Sequence, residues 1–558
     1  MRHLGVASNS PPEISNMFAV FFKNIYKKTG NATGCMSEDV GFTNTCMLRF
    51  TGDAVLRGLL NLEVDKGSGP DEIPNSFLKQ FAEDLLFPIT EIFNLSLSSG
   101  HFPTFWKISH VIPIYKDGDR CEISNYRGIC IISAIPKLFE KLVYDRISLD
   151  IFPYIADEQH GFTPGRSIVT NLANFISPTI QWIEDGSQVD VVYTDFSKAF
   201  DRVNLALLIL KLREFGFDGS ILKWMESYLV GRQQFVRFLG HCSSLFETRS
   251  GVPQGSHLGP LFFILFINGV VMHVPSVSML IYADDVKLFL RINSLNDCYV
   301  LQNALDSFVG WCNKMDLDLN VKKCKVMSFT RKRNVIKYDY HINQQTVPKC
   351  DVVSDLGVVL DNKLTMNLHI DHIVKKSMKM LGFIKRFSRE FNDVFIAKTL
   401  FVSLVRPILE FASVIWSPCF VTHIARVEAV QRNFSRFALR FLVWRDPLNL
   451  PTYENRLRLL NLDTLFLRRK LFDGLFIHDI LSSKIQCPRL IAALSFNAGK
   501  FNLRHRSLFY VSKHRTCYGL NNPMDRALSL FNDICDDYDC NESRNLIKCK
   551  FRRCLLNE

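Results

Sequence analysis

Apolar positions along the chain recur in two rhythms. Between Pro12 and Tyr26 the residues Ile14, Phe18, Phe21, Phe22 and Ile25 return at helical spacing. The same rhythm predicts helices over 75–87, 88–98, 134–149, 364–388, 393–416, 422–442 and 453–482. Shorter β-prone runs bounded by turn residues predict strands over 109–119 and 124–132, an antiparallel pair, and over 188–195. A turn over 196–201 then leads into a helix reaching Phe215. Residues 317–330 read as a further strand pair holding Lys322, Lys323 and Lys325, and 355–361 as a short hairpin. Between these elements, 29–45 reads as a loop rich in Gly, Thr, Asn and Ser. Gly and Pro punctuate 66–74, and the Gly/Pro/Ser loop 250–260 feeds an apolar helix over 261–269. Gly161 to Ser167 is a loop ending at a helix start, with Ser167 as N-cap.

Composition narrows the class. The 558 residues are 47% hydrophobic and 22% charged, which describes a multidomain globular protein with a large core rather than a disordered one. Lys and Arg number 67 against 55 Asp and Glu, a net charge of +12 that permits a polyanionic partner without demanding one. Sixteen cysteines follow no regular framework and read as reduced intracellular thiols. The longest apolar run, from Leu258 to Phe266 and on to Val271, is too short to span a bilayer, so no membrane partner is expected.

The chemistry concentrates in one stretch. Two apolar runs over 278–290 flank Asp284 and Asp285, predicting a hairpin with both acids at its turn. Adjacent anions raise each other's pKa unless a cation lies between them, and Mg²⁺ prefers carboxylate oxygens and leaves room for phosphates. An ordinary acidic turn is the plainer reading, although Tyr-Ala-Asp-Asp is a more specific string than an acidic pair. Asp195 ends a predicted strand at a helix entry, a common position for a site on an α/β sheet. Lys116 and Arg127 fall near one hairpin. Gly165, Arg166 and Ser167 suit phosphate contact at a helix N-terminus, or form a structural turn. Basic helices after Asn362 can clamp a duplex by its phosphates, or present a solvated face.

The order of these pieces resembles the fingers–palm–thumb core of reverse transcriptases, most closely those of LINE-type (non-LTR, jockey-like) retrotransposons. The resemblance runs from about Lys66 to at least Leu442. It rests on the string from Asp195 to Asp201, the Gly251-Val252-Pro253-Gln254-Gly255-Ser256 loop and Tyr282-Ala283-Asp284-Asp285. Asn125-Tyr126-Arg127, the segment from Gly161 to Ser167, and the segment from Leu404 to Trp416 fit the same pattern. It implies an α+β, right-hand polymerase: a connecting N-terminal segment over 1–65, fingers and their connection over 66–187, palm over 188–362, a helical thumb over 363–445 and a C-terminal helical region over 446–558.

The implied function is RNA-directed DNA polymerisation during retrotransposition, with an RNA template, a DNA primer and dNTPs as partners. Nucleotidyl transfer would use two Mg²⁺ ions, with Mn²⁺ an alternative. By the resemblance Asp195, Asp284, Asp285 and the Phe196 carbonyl hold metal, and Lys323 is a general acid to pyrophosphate. Lys116 and Arg127 meet the triphosphate, and Gln254 and Gly255 line the nucleotide pocket. Phe200 lies under the incoming sugar, where it would exclude a 2′-hydroxyl. Gly165, Arg166 and Ser167 would face template and primer. The implied location is intracellular, with the nucleus as the place of action and the cytoplasm as the alternative.

Two departures stand out: Gly128 replaces a usual proline and is expected to loosen its strand, and His257 replaces a usual hydrophobic residue near the nucleotide pocket. About 65 residues ahead of Lys66 leave no room for an endonuclease domain, which suggests a truncated copy or a separate reading frame. Cys535, Cys540, Cys549 and Cys554 lack paired zinc-ligand spacing and read as ordinary cysteines. Two alternatives remain: an inactive retroelement relic that binds nucleic acid, and an RNA-dependent RNA polymerase, which Phe200 and Ala283 disfavour.

Overall fold

The computed structural model describes residues 1–3, 5–27, 48–388, 390–391, 393–442, 450–497, 507–534 and 538–557. The predicted loop 29–45 and Cys535 lie outside them. Eleven strands matter for the site: β1 Ile108–Tyr115, β2 Tyr126–Ile131, β3 Gln188–Thr194, β4 Arg232–Phe238, β5 His241–Cys242, β6 Phe246–Thr248, β7 Ser278–Tyr282, β8 Asp285–Ile292, β9 Lys325–Phe329, β10 Val352–Asp355 and β11 Val358–Asp361.

Four of these make an antiparallel sheet in the order β9-β3-β8-β7. Its central strand β3 is buried along almost its whole length, and period-two alternation divides its side chains between two cores. Val192, Ile281, Val286 and Leu288 face one core, whereas Val191, Leu280, Phe289 and Met327 face the other. The helix Ile168–Glu184 covers the second face, where Phe175 packs edge-on against Phe289 and Phe329. The sequence predicts a strand pair over 317–330, but only β9 forms. Residues 321–323 make a turn instead, so Lys323 precedes the strand rather than riding on it.

The second sheet runs β2-β1-β4-β5 with β6 also on β4. Strands β1 and β4 pair in parallel, Ile108 opposite Gln233. Three of its five strands therefore come from 232–248, within the stretch expected to form the palm. The N-terminal helix Pro11–Lys23 packs on this sheet through Ile14, Phe18 and Phe22, which makes it part of the fold and not merely a connecting segment. Gly128 stays in register opposite Pro113. A Cβ there would meet Val111 at 2.7 Å and Phe22 at 3.3 Å, so glycine seats the N-terminal helix and the strand is not loosened.

Several predicted helices change shape. Pro88 lies inside one helix, Ala82–Ser99, and Asn75–Gln80 stands apart from it. The helix expected after Phe196 is split into Ala199–Arg202 and Leu205–Glu214. The stretch 393–416 breaks into Val394–Leu400, Arg406–Glu410 and Ser413–Trp416, with a π-turn between the first two. Pro407 and the left-handed Ala412 (φ 51°) account for the interruptions. Asn367–Phe387 and Val421–Leu442 pack together as long helices. Leu465–Leu481 anchors the C-terminal helices, with Arg468 ion-paired to Glu410. Among the described residues no helix is long and apolar enough to cross a membrane.

Candidate active site

The hairpin turn is held from outside. Ala283 sits in the left-handed region (φ 56°), which disfavours a residue with a Cβ by about 1 kcal/mol. Its N–H donates to Gln159 Oε1 at 3.0 Å, and the same oxygen accepts the Gly161 N–H at 2.8 Å. On either side the His160 N–H donates to the Ile281 carbonyl and the Ile281 N–H to the Glu158 carbonyl, both at 2.9 Å. Gly161 has no room for a side chain, since a Cβ would lie 2.4 Å from the Ala283 nitrogen. The segment 158–161 thus extends the edge of β7.

Beyond that turn the two acids part. Asp284 faces a cavity of about 420 Å³ together with Asp195, Phe196, Lys116, Arg127, Phe200, Gln254 and Lys323. Asp285 opens β8, and alternation turns it to a second cavity of about 200 Å³ with Tyr193, Lys287 and Asp355. Asp195 and Lys323 border both. A buried ion pair, Lys287 to Asp355 at 2.5 Å, lies behind Asp285.

The carboxylates feel burial and each other. Burial raises the Asp284 carboxyl, with Asp195 adding to the shift and Arg127 and Lys116 opposing it. Asp285 is pushed up to about 6 by burial, then by Asp284, Asp355 and Asp195. Asp195 Oδ2 is shielded from solvent without a hydrogen-bond partner, and Lys323 Nζ stands 3.6 Å from it. An oxygen held only by this long ion pair, with Asp284 across the same cavity, fits a hard cation that prefers oxygen ligands. Among the described residues no three ligating side chains already converge; Asp285 lines the adjoining cavity, which Asp195 also borders. Backbone bonds fix Asp195 in place: its carbonyl accepts from the Asn320 N–H, and the Ser197 N–H donates to the Asp318 carbonyl, each at 2.8 Å.

The cavity floor is aromatic and amide. Phe200 stacks on Phe263 with centroids 4.2 Å apart, so its ring is a fixed wall. The Gly-Val-Pro-Gln-Gly-Ser loop is stitched to the segment behind it, Val252 N–H to the Phe200 carbonyl and Gly251 N–H to the Val203 carbonyl, both at 2.8 Å. Gly255 (φ 91°) approaches the Cys130 carbonyl, where a Cβ would come within 2.6 Å. Its close approach is to the protein's own strand β2. His257 is not among the residues lining this cavity; its N–H donates to Glu140 Oε2 at 3.2 Å.

The residues expected at template and primer are engaged internally. Arg166 donates to the carbonyls of Ala156 (2.6 Å), Gln159 (2.8 Å) and Gln486 (3.1 Å), and to Asp157 at 3.0 Å. Only 8% of its side chain is exposed. Gly165 packs against Gln486, and Ser167 closes a capping box with Thr170. This loop is a structural clamp. Among the described C-terminal cysteines, Cys540, Cys549 and Cys554 are free and exposed.

Residues 114–384 match the family model for reverse transcriptase (RNA-dependent DNA polymerase). The chain carries a reverse transcriptase domain. Its strand-end Asp195, its Tyr-Ala-Asp-Asp turn and the loop bearing Gln254 all fall within the matched span. Across 389 residues the chain is 28% identical to a probable RNA-directed DNA polymerase from transposon X-element of Drosophila melanogaster, covering 67% of this chain and 42% of that protein. A probable RNA-directed DNA polymerase from transposon BS of the same species is 27% identical over 426 residues, 73% of this chain and 47% of the relative. The RNA-directed DNA polymerase from its mobile element jockey is 27% identical over 326 residues, 56% and 35% of the two chains. This chain thus spans less than half the length of these relatives. An apo telomerase from Candida tropicalis covers 53% of this chain and 60% of its own at 11% identity, with a TM-score of 0.34, a likeness too loose to argue from. The reverse transcriptase domain is the right-hand, α+β polymerase expected from the sequence.

Sequence reasoning missed the residues that position this domain's site. Gln159, Asp201, Lys198 and Asn320 contact or line it. Lys198, itself left-handed (φ 57°), is exposed at the cavity, and partial desolvation lowers its amine pKa while Asp201 opposes the shift. Lys198 and Asp201 stand in a string read as a turn and Asn320 in one read as a strand pair, and nothing local shows which distant residues each of these positions meets.

Proposed function

We propose that the chain is the RNA-directed DNA polymerase of a non-LTR retrotransposon, extending a primer 3′-hydroxyl with dNTPs on an RNA template. One observation carries the reading: a single cavity gathers Asp195 and Asp284 against Lys116 and Arg127, with Phe200 and Gln254 also in its lining. Two carboxylates facing two cations suit a metal-bound triphosphate. Asp195 and Asp284, with the Phe196 carbonyl, would hold Mg²⁺. Bound divalent cations supply activation of the attacking hydroxyl and neutralise the phosphates.

The chain's own groups account for the rest. Lys116 and Arg127 bind the triphosphate, and Lys323, at the cavity rim beside Asp195, delivers a proton to departing pyrophosphate. Phe200, fixed against Phe263, crowds the sugar's 2′ position. The four-stranded sheet serves as palm and the helices after Asn362 as thumb. The β1–β2 hairpin and the sheet built on it serve as fingers, and the site of action is the nucleus.

Primer extension on an RNA template with dNTPs and Mg²⁺, run beside Asp284→Asn, tests the reading. DNA product from the wild type alone supports it. No product from either chain, with RNA–DNA duplex still bound, overturns it in favour of an inactive binding relic.

A further inference from the structure

We propose that Asp201 is a positioning residue that fixes which end of the Gln254 amide meets the incoming nucleotide; the inference rests on the polymerase reading above. Gln254 Nε2 donates to Asp201 Oδ1 at 2.8 Å. An ionised carboxylate accepts and cannot donate, so the amide nitrogen must face Asp201 and the oxygen must turn away. Gln254 lines the cavity that holds Asp195 and Asp284. The nucleotide therefore meets an acceptor there, suited to a sugar hydroxyl or a base N–H.

The pair is built to stay in place. The Ser250 hydroxyl donates to the Asp201 carbonyl at 2.7 Å, and the Asp201 N–H donates to the Lys198 carbonyl at 3.1 Å. Gly251 lies against the Asp201 backbone so closely that a Cβ would stand 2.6 Å from its carbonyl oxygen. A hydroxyl or amide in place of Asp201 could donate as well as accept and would leave Gln254 free to reverse. Burial lifts the Asp201 carboxyl to about 6, and the charges of Lys198, Arg127 and Arg202 oppose a larger rise. At neutral pH it is the ionised acceptor.

The test exchanges the two groups. Steady-state incorporation of dTTP is measured on poly(rA) primed with oligo(dT) in Mg²⁺. Gln254→Glu sets two carboxylates face to face and is expected to raise KM for dTTP about tenfold or more, with a smaller effect on kcat. In Asp201→Asn with Gln254→Glu the hydrogen bond runs the other way and an oxygen again faces the nucleotide. KM is then expected to return to within about threefold of wild type. An exchanged pair no better than Gln254→Glu, in a chain whose wild type makes DNA, overturns the inference and leaves the polymerase reading standing. A wild type that makes no DNA overturns both. Should Gln254→Glu not fold, Asp201→Ala, Gln254→Ala and their double replace it: non-additive effects on KM support the pairing, and additive effects overturn it.

Discussion

The side-chain oxygen of Gln159 accepts the backbone N–H of Ala283 at 3.0 Å, 124 positions away in sequence. One buried amide thus supports the left-handed residue immediately before Asp284, and through Gly161 it ties that turn to the neighbouring loop. The turn that carries the hairpin acids owes its shape to a residue on another element.

Removing that support should misplace Asp284. Gln159→Ala is expected to lower kcat by about tenfold or more with little change in KM for dNTP, and to destabilise the fold by about 1–2 kcal/mol. Ala283→Gly in the same chain should recover part of the loss, because glycine accepts a positive φ freely. Primer-extension kinetics and thermal melting of the three variants check both effects.

The two hairpin acids should not be equivalent. Asp195 borders both cavities, but Asp284 shares the larger one with Lys116 and Arg127, whereas Asp285 shares the smaller one with Lys287 and Asp355. Asp284→Asn should reduce primer extension by about a hundredfold or more through loss of a metal ligand, and Asp285→Asn by clearly less. Equal losses would show that both acids reach the reacting phosphate.

Phe200 should act as a sugar gate because its stack on Phe263 leaves its ring no easy retreat. Phe200→Val is expected to raise incorporation of ribonucleotides relative to deoxynucleotides by about tenfold or more, a difference of about 1.4 kcal/mol in transition-state discrimination. Parallel extension assays with rNTPs and dNTPs measure the ratio. An unchanged ratio would remove the gate assignment.

Arg166 separates a structural clamp from a phosphate contact. With its guanidinium spent on three carbonyls and Asp157, Arg166→Ala should lower the melting temperature. It should leave the salt dependence of RNA–DNA duplex affinity unchanged. A lost phosphate contact would instead reduce the slope of log affinity against log salt by about one.

Glu140 gives the fold a pH signature. Burial pushes its carboxyl up to about 7, so between the ordinary Glu value and about 7 the folded chain binds a proton that the unfolded chain has released. The associated stability is fully present below the ordinary Glu range and is lost as pH rises through about 7, on the order of 3 kcal/mol in all. Denaturant midpoints at pH 5 and pH 8 should show this slope in the wild type and a shallower one in Glu140→Gln.

The strands that carry Asp195 and the hairpin acids were legible in the sequence because strand periodicity and turn chemistry are local properties. The matched string from Asp195 to Asp285, with Gln254 between them, was enough to expect the right-hand polymerase fold. The sequence also placed Ser167 as an N-cap, since a cap bonds within its own first turn. It could not show that Asp284 and Asp285 serve different cavities, because their directions depend on where the left-handed Ala283 ends one strand and Asp285 begins the next. Nor could it show that Arg166 is closed on Gln486, 320 positions away, or that Ile108 pairs in parallel with Gln233. A local pattern specifies which face of an element is apolar. Which distant donor meets which acceptor is decided only when the packed sheets bring them within hydrogen-bond reach, and at this site that tertiary choice gives Gln159, Asp201 and Gln254 their positions.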